Sequence, residues 1–442
     1  MNKDNHNTQN DAITRKPASK NIWYNLATIA GEPDRDDIEL LELNRHYWHG
    51  LMRLILTDAE CDEIKKLSSI EFPILTKQEL NIVSDTLKHR GIDSSLGRLK
   101  FANSMKLTNL VFSYVNFSGF VFPKAVSFDN SIFNHKTIFS DAIFINKTSF
   151  QRVMFKFNAE FIKVIFFKNA IFRASTFKRS AKFRYTKFKG DTSFEQSVFN
   201  ERIRFNNSHL ISEIDFSRTR FNFYPPEFFN AKVPENIIWN GSIFPEVKIK
   251  RKKNHKSQMH KPFNKKDFSY RAVRLINIYE RLALMMSKLE KHHDRHMFFR
   301  LEMRARRVAE TNPFAKALNY IYDKLSDYGY GVGFAALAWA INIFGWIPLL
   351  FPWKGYKLNL SKSENWITGI NLWVEAFGLS VSNTHSFLGL SKGPLKEIVE
   401  NYPKDQLLVS FAYSFFGSVQ TIFGAVLLFL LVLCARNRFR MS

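Results

Sequence analysis

Few residues in this chain combine the types and spacing that chemistry requires. Glu375 and His385 are the two ionisable groups of residues 366–390, a stretch otherwise free of charge. An ionisable side chain in apolar surroundings is costly, so Glu375 above all predicts a pore or re-entrant loop, against the alternative of a place at a membrane interface. His292 and His296 lie one helical turn apart, but no Glu follows in an H-E-x-x-H arrangement and no third ligand is evident, so no metal site is expected. Cys61 and Cys434 are the only cysteines and fall in different segments, which supports no disulfide framework and fits a reducing compartment. With no phosphate loop, nucleophile elbow or zinc motif, no enzyme and no cofactor are expected.

The remaining candidate chemistry is cationic, and the net charge of +24 points to an acidic partner. Lys163, Lys168, Arg173, Lys178, Arg179, Lys182, Arg184, Lys187 and Lys189 fall, with Lys156, in a span whose only acid is Glu160. They predict a face that attracts the phosphates of lipid or nucleic acid; the alternative is an ordinary solvated face. Lys250, Arg251, Lys252 and Lys253 sit in a second block, residues 248–266, with nine Lys or Arg and no acid. Such a block is flexible and repels itself. It can be a nucleic-acid patch or a tether to anionic lipid, worth about 1 kcal/mol per basic residue near the surface. The apolar stretches that follow favour the tether.

The first cationic set must be positioned by a phenylalanine ladder. Two interleaved series step by eleven residues: Phe117, Phe128, Phe139, Phe150, Phe161, Phe172, Phe183, Phe194, Phe205, Phe216, and Phe122 through Phe221 with Leu210 as the one substitute. Two residues before most of them stands a small or β-branched residue, such as Thr148, Ala159, Ala170 or Ala181. Neither a helical period of 3.6 nor a long strand of period 2 keeps this pattern on one face. The chain must turn after each short extended unit and stack, which is a solenoid whose core includes Phe139, Phe150, Phe161, Phe172, Phe183 and Phe194.

These residues resemble a pentapeptide-repeat protein, since units such as Ala159-Glu160-Phe161 match its A-x-F form with a sixth residue in every second unit. The resemblance implies a right-handed quadrilateral β-helix with the large and small residues both inward. Ten eleven-residue units at two per coil make about five coils and, at roughly 4.8 Å each, a rod of about 24 Å. Pentapeptide proteins that protect topoisomerases resemble DNA and carry acidic faces; the sign here is opposite, so DNA mimicry is not favoured.

Around the solenoid the fold class is mixed. Residues 1–20 read as a disordered tail and not a signal peptide, leaving the amino terminus in the cytoplasm. Residues 21–100 read as a helical cap on the first coil, with Trp23, Trp48 and His49 better explained by core packing than by binding. The solenoid covers 101–245, its beat stopping at Pro225-Pro226 and leaving an irregular closing segment. The basic linker is 246–267. Residues 268–327 form amphipathic juxtamembrane helices, with Leu275, Ile278, Tyr279 and Leu282 on one face.

Two charge-free stretches, 328–353 and 407–435, predict transmembrane helices, and 436–442 a basic cytoplasmic tail. The loop between, 354–406, includes 366–390 as a re-entrant segment, which needs protein or water around it and so implies a homo-oligomer. Ser414, Ser418, Gln420 and Thr421, with Gly417 and Gly424, either pack helices or line a pore, packing being the commoner outcome.

From about Asn21 to Arg440 the chain also resembles a group of bacterial membrane pentapeptide-repeat proteins with a channel-like layout. The motifs that carry this are Met303 to Arg307, Ser326 to Gly329 and Arg436 to Arg440. The resulting expectation is a non-enzymatic inner-membrane protein, both termini cytoplasmic, whose solenoid binds a protein partner or senses a signal and is coupled to an ion-channel-like module. An anchored scaffold without a pore is the first alternative, and a nucleic-acid-binding solenoid the second.

Overall fold

The computed structural model describes residues 14–32, 37–68, 70–92, 102–246, 265–345, 374, 377–378, 380–384 and 407–439. The chain divides into two compact units, Met1–Glu246 and Val247–Ser442.

The first unit is a parallel β-solenoid whose two-residue strands build four sheets, two of seven strands and two of five. Thr148 pairs with Ala170 and Ala170 with Thr192, so each coil closes onto the next one full repeat along. The ladder residues point inward as four columns. In one of them Phe128, Phe150, Phe172 and Phe194 stack in succession at 4.9 Å. The small residues beside them, among them Thr148, Ala159 and Ala170, are buried because a larger side chain there would displace the rings.

One corner of each half-coil demands a left-handed residue. The amide of Ser131 donates to the Phe128 carbonyl at 3.2 Å, closing a turn whose third residue, Asn130, has φ 61°. The same conformation recurs at Asp141, Arg152, Lys163, Ala174, Tyr185, Gln196, Asn207 and Arg218. A Cβ in this region costs roughly 1–2 kcal/mol, partly offset in glycine by chain entropy. Ala174→Gly is therefore expected to stabilise the rod by about 0.5–1 kcal/mol, read as a higher urea midpoint with unchanged slope.

The rod has about six coils, one more than the phenylalanine series predicts. At its start Met105, Leu107 and Leu110 occupy the inward positions. At its end Phe228 stacks on Phe205 at 4.9 Å, Trp239 on Phe216 at 4.7 Å and Phe244 on Phe221 at 5.3 Å. The segment expected to be irregular is thus a further coil, one residue longer than those before it, and that insertion breaks the beat without breaking the stack. Ile237–Ile238 still pairs with Ile214–Asp215.

Four helices cover the amino-terminal side: α1 (Ile22–Ala27), α2 (Ile38–Ile55), α3 (Asp58–Ser68) and α4 (Lys77–His89). The Asn21 side chain caps α1, and a Thr76/Glu79 capping box starts α4. Residues 14–20 correct the expectation of a disordered tail to residue 20. Lys16–Pro17 pairs in parallel with Leu110 and Val111, and the Arg15 guanidinium donates to the Asn130 carbonyl at 2.6 Å. The unpaired edge of the first coil is a template for such a strand.

Trp48 and His49 close another edge. Trp48 Nε1 donates to the Val121 carbonyl at 2.7 Å, and the Val121 amide donates to His49 Nε2 at 3.2 Å. Two side chains thereby replace the coil that would otherwise precede Val121. Burial, with Arg45 and His46 nearby, pushes the His49 imidazole down to about 4. Its unfolded value is near 6.5, so its contribution is complete above that pH and is lost as pH falls toward 4. The urea midpoint of this unit is expected to drop across that window by about 3 kcal/mol equivalent, and His49→Gln to flatten the slope.

In the second unit α5 (Lys265–Lys288) and α6 (His292–Ala309) form a pair, broken at Glu290 with φ 58°. Leu275, Tyr279, Leu282 and Met286 are buried, as their spacing predicts. Asn312 caps α7 (Pro313–Ser326), and α8 (Val332–Phe344) follows. The expected span over 328–353 is seen as the shorter α8, residues 346–353 lying outside the described set. α9 (Leu407–Phe439) runs past 435, so the expected basic tail begins inside a helix. Phe415–Asn437, 23 residues, is long and apolar enough to cross a membrane.

Candidate functional site

Among the described residues of the second unit, buried polar groups concentrate between α8, the helical residues 380–384 and α9. Gln420, 1% exposed in the middle of α9, is at their centre. Its amide nitrogen is 2.6 Å from Ser380 Oγ, 3.1 Å from the Ser380 carbonyl, 3.2 Å from Thr384 Oγ1 and 3.2 Å from the Asn342 carbonyl. Two N–H bonds face four oxygens, so the donors are shared. Asn342 Nδ2 donates to Thr384 Oγ1 at 3.2 Å, and Thr421 Oγ1 to the Asn383 carbonyl at 2.8 Å. The Ser380 hydroxyl donates to the Ile343 carbonyl.

Two glycines allow this approach. A Cβ on Gly424 would stand 2.4 Å from the Thr384 carbonyl oxygen, and one on Gly417 3.4 Å from Asn383 Nδ2. Asn383 is 2% exposed, and among the described residues its Oδ1 has no hydrogen-bond partner. An unmet buried acceptor costs about 1–3 kcal/mol. Sequence reasoning singled out Gln420, Thr421, Gly417 and Gly424 and took Ser380 to Ser386 as a polar interruption of 366–390, but it did not bring Ser380, Asn383 and Thr384 to Gln420 and it missed Asn342. The signal for Asn342 was available: it is an amide inside an apolar run. Ser418 lies on the exposed side of α9. Glu375 and His385 lie outside the described residues, as do Lys250, Arg251, Lys252, Lys253 and the side chain of Ser414.

A second site joins the three motifs that carry the wider resemblance. Arg300, Arg304 and Arg307 on α6 face Asp323 and Asp327. Arg307 reaches Asp323 at 2.8 Å, Arg304 reaches Asp323 at 3.5 Å and Asp327 at 3.1 Å, and Arg300 pairs with Asp327. Asp327, Tyr328 and Gly329 are consecutively left-handed, with φ 44°, 56° and 83°. Such a run costs of order 1–3 kcal/mol at each non-glycine residue and persists only when its surroundings hold it. Here the Tyr328 hydroxyl donates to Asn319 Oδ1 at 2.7 Å, and Asn437 Nδ2 of α9 donates to the Gly329 carbonyl at 3.0 Å. Asp323→Ala strips Arg304 and Arg307 of a mostly buried carboxylate. It is expected to cost about 2 kcal/mol in thermal unfolding of the full-length protein, with Asp323→Asn losing less.

The histidines of α6 do not converge as ligands. His293 Nδ1 is 3.0 Å from the Tyr330 hydroxyl, and the His296 ring packs 6.3 Å from the Tyr330 ring. Among the described residues no group of three or more His, Cys, Asp or Glu is arranged to hold a metal ion.

The solenoid distributes the nine basic residues around its sides, because the chain changes direction after every short strand. Arg173 pairs with Glu195 at 3.1 Å, Arg179 with Glu201 at 2.8 Å and Lys182 with Glu160 at 2.8 Å. Lys178 is exposed at the same corner as Arg179. Lys187 lies on the side formed by Ile143, Ile165 and His209. Lys163 and Arg184 occupy one corner bordering that side, and Lys168 and Lys189 the other. The structure therefore gathers five of the nine, with Lys189 Nζ 4.0 Å above the Phe167 ring.

Inward columns of aromatics on all four sides and four parallel sheets make a β-solenoid, within which residues 172–220 match the family model for pentapeptide repeats (9 copies). No curated protein and no solved structure gives a significant match to the chain.

Proposed function

We propose that this is an integral membrane protein in which the pentapeptide-repeat rod is a binding or sensing platform coupled to an ion-channel-like module. The module consists of two spans, α8 with its continuation and α9, and a re-entrant segment over 366–390. Both termini face the cytoplasm, the module is a homo-oligomer, and the basic linker holds anionic lipid. The observation that carries the reading is the uncharged cluster of amides and hydroxyls around Gln420, buried between two apolar helices and a third helical segment. Polar groups are retained at such depth where they bind across helices or face a transported species. The five-residue basic side of the rod supports an anionic partner.

Purified full-length protein in planar bilayers is expected to conduct ions, and Glu375→Gln to alter that conductance. The anchored scaffold is the second reading, favoured by the extent to which the cluster's donors and acceptors satisfy one another. Silence of both wild type and Glu375→Gln, with monomers by light scattering, would establish it instead. Nucleic-acid binding predicts steeply salt-dependent binding of DNA by the full-length protein, and weak binding at low salt would exclude it.

A further inference from the structure

α7 carries an apolar edge that the described residues leave about half exposed or more. Phe314, Leu318 and Ile321, at i, i+4 and i+7, are 70%, 51% and 48% exposed. Tyr320 and Lys324 run beside them, the Lys324 Nζ lying 5.8 Å and the Arg307 guanidinium of α6 5.5 Å from the centre of the Tyr320 ring, which stays half exposed. The opposite edge is committed to protein: Asn319 accepts from Tyr328, and Asp323 pairs with Arg304 and Arg307. The helix is therefore held against rolling, with its apolar edge outward.

Along the chain this edge leads through residues 327–331 into α8, where Phe334, Leu337, Ile341 and Phe344 are also exposed. At 14 residues α7 is about 21 Å long, too short to cross a bilayer, and its charged side forbids burial in hydrocarbon. An apolar edge bordered by tyrosine and lysine is the composition of a helix lying in the headgroup boundary.

We propose that α7 binds the surface of an anionic lipid bilayer, with Phe314, Leu318 and Ile321 among the upper acyl chains and Tyr320 and Lys324 at the phosphates. This rests on the reading of α8 and α9 as membrane elements. The arginine ladder then links a lipid-seated helix to α6, and Asn437 links the turn after it to α9.

The test uses full-length protein with Cys61 and Cys434 replaced by Ala and a single cysteine at Leu318 or at Leu337, each carrying an environment-sensitive fluorophore. Both are reconstituted in nanodiscs of phosphatidylcholine and phosphatidylglycerol and quenched with lipid-borne bromine or aqueous iodide. The label at 318 is expected to respond to the lipid quencher about threefold more strongly than to iodide. That preference should weaken about twofold without phosphatidylglycerol, and Lys324→Gln should remove the difference between the two compositions. If 337 responds to lipid but 318 to iodide, the α7 proposal falls and the membrane reading stands. A label at 318 that responds to neither is covered by protein, whether a second copy or another chain, and this also overturns the proposal. If neither position responds to lipid, the membrane reading itself fails.

Discussion

Phe172→Ala is expected to destabilise the rod by about 3–5 kcal/mol. Phe172 is fully buried, stacks at 4.9 Å on Phe150 below and on Phe194 above, and meets Phe161 and Phe183 edge-on at 5.5 and 5.4 Å. The cavity left by the ring cannot close, because the coils above and below are held apart by the parallel ladders at Ala170–Ile171. Each aromatic pair adds about 0.5–1.5 kcal/mol to the area term. Tyr185→Ala on the exterior, at the left-handed position of the next half-coil, should change stability by no more than about 0.5 kcal/mol. The two are compared by urea unfolding of the full-length protein. A loss at Phe172 below about 1 kcal/mol would mean that the coils are held mainly by their backbone ladders.

The second large effect is expected at Gly424→Val. The added Cβ would stand 2.4 Å from the Thr384 carbonyl oxygen and 3.0 Å from its Cα, which are backbone atoms without a side chain's freedom to swing away. α9 and residues 380–384 must therefore separate, and Gln420 then loses Ser380 and Thr384 together. Interhelical hydrogen bonds in apolar surroundings are worth about 0.6–1.7 kcal/mol each, so the cluster as a unit should account for about 2–4 kcal/mol. Ser382→Cys at a buried position, in protein lacking Cys61 and Cys434, reports the opening. Its thiol should react slowly with a water-soluble maleimide while Gly424 is kept, and at least about tenfold faster once Gly424→Val is added. Gly333→Ala, where a Cβ meets nothing within 4 Å, is the control and should leave the rate unchanged. Equal rates in all three proteins would show that Gly424 does not set the helix spacing.

Much of the first unit was legible because a solenoid repeats its contacts. Phe128, Phe150 and Phe172 must each fill the same position in successive coils, so the packing rule is written into the spacing. The reading failed where the rule was kept with different residues: Met105 and Leu110 at the start, and Trp239 after a one-residue insertion at the end. The basic residues were misjudged as one face for a related reason. Neighbours in sequence there lie on different sides of the rod, and the partners of Arg173 and Arg179 come from the next coil.

Local pattern was enough to specify the solenoid, its inward phenylalanines, the amphipathic character of α5 and the apolar character of α8 and α9, since each depends on a single period along the chain. Which polar groups meet was settled by packing in three dimensions. Asn342 reaches Gln420 across a separation of 78 residues, and Asn437 reaches Gly329 across 108. Contacts of that kind have no period, and their geometry follows from helix packing around Gly417 and Gly424 that no local stretch of chain encodes.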